Sequence, residues 1–217
     1  MTKHDQPSYR RFSTTSLPTS HGDFMTTVYR DASGTEQVAL SMGLSPKEIE
    51  SQSISSDKIT DLKPPLVRIH SACFTSEVLG SLKCDCREQL ECAMHAIRSE
   101  GRGLVIYLFQ EGRGIGLGAK IQAYALQERG RDTVDANIEL GYDEDARSYE
   151  AAFDILQDFG ITHLRLLTNN PEKLHALVTQ GGFHVEREPI EVGFNSINEG
   201  YLITKRDRMG HLLQDLS

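Results

Sequence analysis

Residues 104–109 read LVIYLF, a continuous apolar run that leads into a glycine-rich loop. A run of this length without polar alternation fits a strand that is buried on both faces, as strands of parallel sheets are. Such a strand needs helices on either side of the sheet. The run therefore predicts an α/β fold, in which strands alternate with helices that pack on one sheet.

The rest of the chain repeats this alternation. Strands are predicted where short apolar segments follow turn signals, at residues 66–73, 161–168 and 183–190. Helices are predicted where apolar residues recur at helical spacing or where Asn170 and Pro171 supply an N-cap and first position, at residues 89–99, 119–129, 146–159 and from 170 onward. Upstream, residues 17–31 and 36–43 predict an N-terminal β-hairpin region. The expected fold is thus α/β, a mixed sheet with helices packed on it.

A chain of 217 residues suits one large domain with a proper core. Residues 1–15 are polar and lack periodicity, so they are predicted to form a flexible arm. The domain is predicted to span residues 16–213, with the polar residues 44–64 as a surface excursion.

Composition and charge exclude several classes of function. The chain has 31 acidic and 23 basic residues, a net charge of −8 that argues against non-specific nucleic-acid binding. No apolar run is long enough to span a membrane, and the first twenty residues contain no apolar signal segment. We therefore expect a cytoplasmic protein without membrane or nucleic-acid partners. An anionic substrate would need a local cationic pocket.

Three of the four cysteines lie within residues 68–89, at positions Cys73, Cys84 and Cys86. On an extended segment Cys84 and Cys86 point to the same side, and Cys73 can fold back from a preceding strand. Three thiolates leave a fourth position of a tetrahedral Zn²⁺ open, which is the layout of a catalytic site. Two alternatives stay open: Cys92 completes a structural four-cysteine site, or the cysteines are unligated core residues.

Two other segments are suited to anions. The loop EGRGIGLG, which begins at Glu111, lies between a predicted strand and a predicted helix, so its amides and Arg113 can face an anion or a polar base edge. Its glycines also satisfy a loose dinucleotide-binding pattern, although that pattern is weak by itself. A second place for a phosphate is a predicted helix N-terminus, which is surrounded by Thr168, Asn169, Asn170 and Lys173.

Taken together and in order, three segments closely resemble GTP cyclohydrolase II. They are HSACFTSEVLGSLKCDCREQLE, YLFQEGRGIGLGAKIQAYALQERGRDTVDAN and LLTNNPEK. The resemblance implies zinc-dependent hydrolytic opening of the guanine imidazole ring of GTP, an early step of riboflavin biosynthesis. Formate and pyrophosphate leave, and 2,5-diamino-6-(5-phosphoribosylamino)pyrimidin-4(3H)-one remains. It also implies one Zn²⁺ per subunit, Mg²⁺ with the triphosphate, and a homodimer.

The resemblance assigns roles to individual positions. It implies Cys73, Cys84 and Cys86 as zinc ligands, Asp145 as proton acceptor, Arg147 as the residue acting at the α-phosphorus, and Tyr124 as an aid to chemistry at the zinc. The implied substrate-binding residues are Arg68, Ile69, His70, Ser71, Ala72, Gln89, Glu111, Gly112, Arg113, Thr133, Thr168 and Lys173. An arginine stays protonated and is a poor nucleophile, so we favour a phosphate-binding role for Arg147 over a covalent one.

The residues themselves allow plainer interpretations of several positions. Tyr124 is also typical of a half-buried helix tyrosine, and Gln89 of an exposed helix residue. Asp145 is also a standard helix N-cap, and Arg147 is also typical of a solvated helix face.

The chain departs from the family pattern at a few positions near the cysteines. Ala72 stands where an acidic residue is usual, Ser76-Glu77 where Gly-Asp is typical, Arg87 where a glycine follows the last cysteine, and Gln122 where a basic residue is common. These departures motivate one alternative, a paralogue that acts on another nucleotide or stops at a formamidopyrimidine. A second alternative, of another class, is a non-catalytic nucleotide-binding protein with structural zinc.

Overall fold

A computed structural model describes residues 7–46, 63–129, 135, 138–142 and 145–214. Among these residues, seven strands form one sheet in the order β1-β2-β3-β5-β4-β6-β7. The strands are β1 Arg10–Thr19, β2 Gly22–Arg30, β3 Glu36–Met42, β4 Leu66–Ser71, β5 Gly103–Leu108, β6 His163–Leu167 and β7 His184–Glu188. Strands β1, β2, β3 and β5 pair antiparallel, whereas β5, β4, β6 and β7 pair parallel. The sheet is therefore mixed, as the sequence predicts.

Helices follow the parallel strands. They are α1 Phe74–Glu77, α2 Cys86–Glu100, α3 Gly116–Gln127, α4 Glu150–Asp158, α5 Pro171–His175 and α6 Glu199–Asp207. A short 3₁₀ turn, Glu111–Gly114, precedes α3, and α5 continues into a π-helical turn, Ala176–Gln180. None of the helices among the described residues is long and apolar enough to cross a membrane.

The hydrophobic core lies on both faces of the parallel strands. Alternate residues of β5 point to opposite sides, so Leu104 and Ile106 join one buried cluster while Val105 joins the other. Ile155 of α4 packs in the first cluster, and Ile97 of α2 packs in the second. Both faces are thus covered by helices, which confirms the prediction made from LVIYLF.

The N-terminal hairpin is confirmed, because β2 pairs with β3 in antiparallel register. The predicted arm over residues 1–15 is wrong for residues 10–15, which lie in β1 and pair with β2. A terminal nitrogen of the Arg11 side chain also lies 2.8 Å from Oδ1 of Asp158 in α4. Backbone pairing and this ion pair hold β1 in place although most of its side chains are exposed.

Other boundaries differ by a few residues. The helix predicted over 146–159 begins at Glu150, and the helix predicted over 119–129 begins at Gly116. Helix α6 was not predicted. The surface excursion predicted over residues 44–64 falls mostly on residues 47–62, which lie outside the described residues, as does Thr133.

Candidate active site

The predicted site residues gather where the parallel strands β4, β5 and β6 end. Cys73 follows β4, Glu111 follows β5, and Thr168 follows β6. Because these strands are parallel neighbours, their carboxyl ends meet at one edge of the sheet, where ligands of α/β folds usually bind. The pocket at this edge is the candidate active site.

The three predicted zinc ligands lie together in this pocket. The Sγ atoms of Cys73, Cys84 and Cys86 all lie within 4.8 Å of one another, and those of Cys73 and Cys84 are 3.6 Å apart. Tetrahedral Zn²⁺ with Zn–S bonds of about 2.3 Å requires S···S separations of about 3.8 Å. The three thiols therefore fit the corners of a tetrahedral metal site.

The fourth cysteine does not belong to this group. Cys92 is absent from the set of close sulfur atoms and packs instead against the hydrophobic cluster that contains Met94 and Ile97. The arrangement favours three cysteine ligands, with a fourth position left for another group.

Glu77 organises the turn that carries Cys73. Its Oε1 atom accepts hydrogen bonds from the amide of Cys73 and from Nε2 of His70, both at 2.9 Å. Its Oε2 atom accepts from the hydroxyl of Tyr107 at 2.6 Å. One carboxylate thus joins β4, β5 and the first cysteine, although the sequence marks Glu77 only as a departure from the family pattern.

Lys120 brings a positive charge to the thiols. Its Nζ atom donates to Sγ of Cys73 at 3.0 Å and to Oε1 of Glu111 at 2.8 Å. The pKa of Cys73 is lowered by hydrogen bonds from Cys84 and Cys86 and by the charge of Lys120, against the opposing effect of burial. Cys73 is therefore poised as a thiolate, the form that binds metal.

Tyr124 lies one helical turn beyond Lys120 and lines the same pocket. Burial raises the pKa of the Tyr124 hydroxyl, while the charge of Lys120 partly opposes the rise. The phenol therefore stays protonated near neutral pH and can donate a hydrogen bond beside the thiols.

A chain of polar contacts runs from the cysteine turn to β4. Asp85, which lies between two of the cysteines, accepts from Nε2 of Gln89 at 2.6 Å. The Oε1 atom of Gln89 accepts from Arg68 at 2.5 Å, and Arg68 also donates to the carbonyl oxygen of Leu167. These contacts fix the orientation of the Gln89 amide, so Gln89 is not the exposed helix residue that its type alone suggests.

The glycine-rich loop is tied to the segment that carries Arg147. The carbonyl oxygen of Arg113 accepts from the amide of Ala146 at 3.1 Å. Gly114 has φ +90°, and a Cβ atom there would lie 2.7 Å from the carbonyl oxygen of Ala146. Only glycine fits this position without displacing the Ala146 backbone.

Asp145 and Arg147 form a bidentate ion pair. Nε of Arg147 donates to Oδ1 of Asp145 at 2.8 Å, and a terminal nitrogen contacts Oδ2. Burial opposes ionisation of Asp145, but hydrogen bonds and the charge of Arg147 outweigh it and lower the pKa. Arg147 lines the pocket, whereas Asp145 holds the guanidinium without lining it. Arg147 is therefore not on a solvated helix face, and Asp145 is not a helix N-cap, because the helix begins at Glu150.

The end of β6 adds further polar groups. Asn170 caps α5 by accepting from the amide of Glu172, as predicted, and Thr168 accepts from the amide of Asn170. Lys173 is buried and donates to the carbonyl oxygen of Ile69 at 2.8 Å. Burial, then the charges of Arg68, Arg147 and Lys205, lower the pKa of Lys173 well below its usual range. A site this rich in cations is suited to an anion.

The structure brings together most of the predicted site residues. The ones that line the pocket are Arg68, His70, Ser71, Ala72, Cys73, Cys84, Cys86, Gln89, Glu111, Gly112, Arg113, Tyr124, Arg147, Thr168 and Lys173. Ile69 does not line it, because its side chain lies in the hydrophobic core. Thr133 lies outside the described residues, so its role stays a prediction.

The departures from the family pattern mostly lie away from the pocket. Arg87 donates to the carbonyl oxygen of Glu77 at 2.9 Å and bonds through its amide to Ser76, so it braces the cysteine turn. Gln122 is exposed on α3. Among these positions, Ala72 lines the pocket.

Sequence reasoning missed Lys120, Glu77 and Asp85. Lys120 lies four residues before Tyr124 and so on the same helix face, which is the signal that could have found it. Asp85 lies between two predicted ligands, where its burial shows only in the structure.

Comparison with known proteins shows what this chain is similar to. Residues 10–189 match the GTP cyclohydrolase II family, and residues beyond 189 lie outside that match. The chain is 48% identical to GTP cyclohydrolase-2 of Neisseria gonorrhoeae, over 92% of this chain and 94% of that protein. It is 47% identical to GTP cyclohydrolase-2 of Acinetobacter baumannii, over 93% and 94% of the two chains.

A third relative is the riboflavin biosynthesis protein RibBA of Phocaeicola vulgatus. It is 47% identical over 91% of this chain and 46% of that protein. With a family match over residues 10–189 and relatives of this similarity, the chain belongs to the GTP cyclohydrolase II family.

Proposed function

We propose that this protein is a zinc-dependent GTP cyclohydrolase II that opens the guanine imidazole ring of GTP. Formate and pyrophosphate leave, and 2,5-diamino-6-(5-phosphoribosylamino)pyrimidin-4(3H)-one is the product, for riboflavin biosynthesis in the cytoplasm. One observation carries the proposal: a three-cysteine cluster and a group of buried cations line the same pocket. The cysteine cluster suits hydrolysis at a carbon atom, and the buried cations suit the binding of a triphosphate.

Cys73, Cys84 and Cys86 would hold the zinc. When bound, zinc supplies Lewis acidity and lowers the pKa of a coordinated water. Three thiolates leave a zinc site with a net negative charge, which weakens that acidity. Lys120, at 3.0 Å from Cys73, offsets part of this charge.

The base is assigned to the side of the pocket between Gln89 and Glu111. The Gln89 amide is held by Asp85 and Arg68, so it presents hydrogen-bond donor and acceptor groups in a fixed orientation to the polar edge of the base. Tyr124 donates a hydrogen bond to the oxygen that develops negative charge at the reacting carbon. These residues orient the base against the cysteine cluster.

The phosphates are assigned to the opposite end of the pocket. Arg147, held rigidly by Asp145, presents its guanidinium there together with Lys173 and Thr168. A planar guanidinium binds phosphate oxygens in bidentate fashion and stays protonated, so it serves as an anchor. The proton-acceptor role of Asp145 stays a prediction, and in this arrangement its carboxylate orients Arg147.

The test is incubation of the purified, zinc-loaded protein with GTP and Mg²⁺ while formate and pyrophosphate are quantified. We expect both products, and less of each when Mg²⁺ is omitted. Light scattering after size-exclusion chromatography tests the homodimer. If neither product forms and other nucleotides are also unchanged, the proposed activity is wrong.

The two alternatives have separate tests. Mass spectrometry distinguishes a paralogue that stops early, because its product retains a formyl group. The departures near the cysteines favour this alternative less than the sequence suggests, since Arg87 braces the cysteine turn. A non-catalytic protein with structural zinc requires Cys92 as a ligand, so a Cys92→Ala variant that loses its zinc would support it. We expect that variant to keep its zinc and Cys84→Ser to lose it.

A further inference from the structure

The chain beyond the family match folds back over the candidate active site. Helix α6 and the residues after it contribute Tyr201, Lys205, Met209, His211 and Leu213 to the pocket lining. The segment is anchored by the buried Leu202 and by a hydrogen bond from the amide of Leu212 to the carbonyl oxygen of Asn169 at 2.8 Å. We refer to residues 199–213 as the C-terminal wall.

Lys205 joins the C-terminal wall to the cysteine turn. Its Nζ atom donates to Oδ1 of Asp85 at 2.8 Å, and both side chains are almost fully buried, at 11% and 3% exposed. Nζ also lies 4.4 Å from the ring centroid of Tyr201. An ammonium group has three donors, so the contact with Asp85 uses one of them and leaves others for a ligand.

His211 lies on the same wall and faces cations from several elements. Its Nδ1 atom is buried and has no hydrogen-bond partner among the described residues. Burial, then the charges of Lys205, Arg147, Lys173 and Arg113, lower the pKa of His211 to about 3. A neutral imidazole with an unused nitrogen therefore lies beside a group of positive charges.

The cations in this part of the pocket outnumber the carboxylates that pair with them. Asp85 pairs with Lys205 and Asp145 pairs with Arg147. Within the described part of the chain, the remaining cations, Arg68 and Arg113, contact no carboxylate at ion-pair distance, and both terminal nitrogens of Arg113 lack any partner. Buried cations without counter-charges are costly, and a bound polyanion would remove that cost.

We propose that the C-terminal wall covers the phosphate groups of the substrate and that Lys205 and His211 donate hydrogen bonds to them. The inference rests on the proposed function for the identity of the substrate. It adds two substrate-binding residues that lie outside the residues matched to the family. The chemistry recognised is a linear polyphosphate, so inorganic tripolyphosphate is a sufficient probe.

The experiment is calorimetric titration of the zinc-loaded full chain with inorganic tripolyphosphate and, separately, with guanosine. We expect Lys205→Met to weaken tripolyphosphate binding about tenfold, because a hydrogen bond to a charged group is lost. His211→Gln should weaken it to a smaller extent, and Lys205→Arg should restore part of the loss. Arg206→Met is the matched control, since Arg206 is exposed on the same helix and pairs with Asp207.

Guanosine binding separates a phosphate contact from a general structural role. If Lys205 only held the fold together, its loss would weaken guanosine and tripolyphosphate alike and would lower the zinc content. In Lys205→Met we expect a larger loss of affinity for tripolyphosphate than for guanosine, because Lys205 also pairs with Asp85, which holds Gln89. His211→Gln should keep its guanosine affinity, and both variants should keep one zinc per chain. Equal tripolyphosphate affinity in the wild type, Lys205→Met and His211→Gln would overturn the inference.

The same titrations separate this inference from the proposed function. Polyphosphate binding that depends on Lys205 and His211, without formate release from GTP, would support phosphate binding by the C-terminal wall and refute the proposed enzymatic activity. Formate release together with unchanged polyphosphate affinity in both variants would support the proposed enzymatic activity and refute phosphate binding by the C-terminal wall. If Lys205→Met does not fold, His211→Gln decides the outcome by itself.

Discussion

The Nζ atom of Lys120 donates a hydrogen bond to Sγ of Cys73 at 3.0 Å. This contact places a cation against a cluster of three thiols whose combined charge would otherwise weaken a bound zinc as a Lewis acid. In the sequence, Lys83 and Arg87 are the basic residues next to Cys84 and Cys86. In the structure Lys83 pairs with Glu128 and Arg87 binds the carbonyl oxygen of Glu77, so Lys120 has that role.

We predict that Lys120→Met lowers kcat by about 10- to 100-fold, the range typical for residues that contact metal ligands. The matched control is Lys63→Met, which removes an exposed lysine that pairs with Glu100 and should change kcat less than about twofold. Formate release and zinc content are the measurements. Full activity of Lys120→Met with one zinc per chain would contradict the role of this charge.

Glu77 should matter for metal affinity more than for substrate affinity. Its carboxylate accepts hydrogen bonds from the amide of Cys73, from His70 and from Tyr107, so Glu77→Ala leaves three buried donors without a partner. We expect zinc affinity to fall by about tenfold or more, measured by competition with a chromophoric chelator. Glu91→Ala, at an exposed position of α2, is the control and should leave zinc affinity unchanged.

Gly114 should be intolerant of even a methyl group. A Cβ atom there would meet the carbonyl oxygen of Ala146 at 2.7 Å in a backbone conformation with φ +90°. We predict that Gly114→Ala shifts the segment that carries Arg147 and lowers kcat/KM for GTP by at least about tenfold. The reason is that a small displacement of a substrate-positioning residue such as Arg147 typically reduces the rate by that factor or more. Zinc content should not change.

The control for Gly114→Ala is Gly118→Ala, in helix α3. A Cβ atom at Gly118 would meet nothing within 4 Å, and its φ is not positive. Because alanine is favoured over glycine in a helix, this variant should be more stable by about 0.5–1 kcal/mol and as active as the wild type. Thermal unfolding and formate release would check both. Equal losses of activity in the two variants would show that the close approach to Ala146 is unimportant.

The sequence was informative about the site wherever the chemistry is carried by contiguous residues. Cys84 and Cys86 lie two positions apart, and the loop that contains Gly112 and Arg113 joins a buried strand to a helix, so both features are visible without coordinates. The parallel strands were also predictable, since a run such as residues 104–109 is buried on both faces. These segments place the pocket at the carboxyl edge of the sheet.

What the sequence did not reveal depends on contacts between distant segments. Strand β1 has mostly exposed side chains and no apolar alternation, so its pairing with β2 leaves no hydrophobic pattern. Lys120 and Lys205 are ordinary helix residues by type, and their roles arise because α3 and α6 pack against the cysteine turn. Burial of a charged residue is a tertiary property, which a single sequence does not encode locally.

The C-terminal wall should make stability depend on pH through His211. Its pKa is about 3 in the folded protein, because of burial and the neighbouring cations, against 6.5 for an ordinary histidine. Below pH 6.5 the unfolded chain binds a proton at this position and the folded chain does not, so the free energy of unfolding falls as pH decreases from about 6.5 towards 3. Above pH 6.5 both states are neutral and the contribution is constant.

The variant His211→Gln removes this proton uptake and leaves the other histidines in place. Between pH 7 and pH 5 we expect the wild type to lose roughly 1 kcal/mol more stability than the variant, a value below the full linkage limit because the wall can open locally. Urea unfolding of the zinc-loaded proteins at both pH values is the measurement. Parallel pH dependences in the two proteins would mean that His211 does not face the cations when the protein is folded in solution.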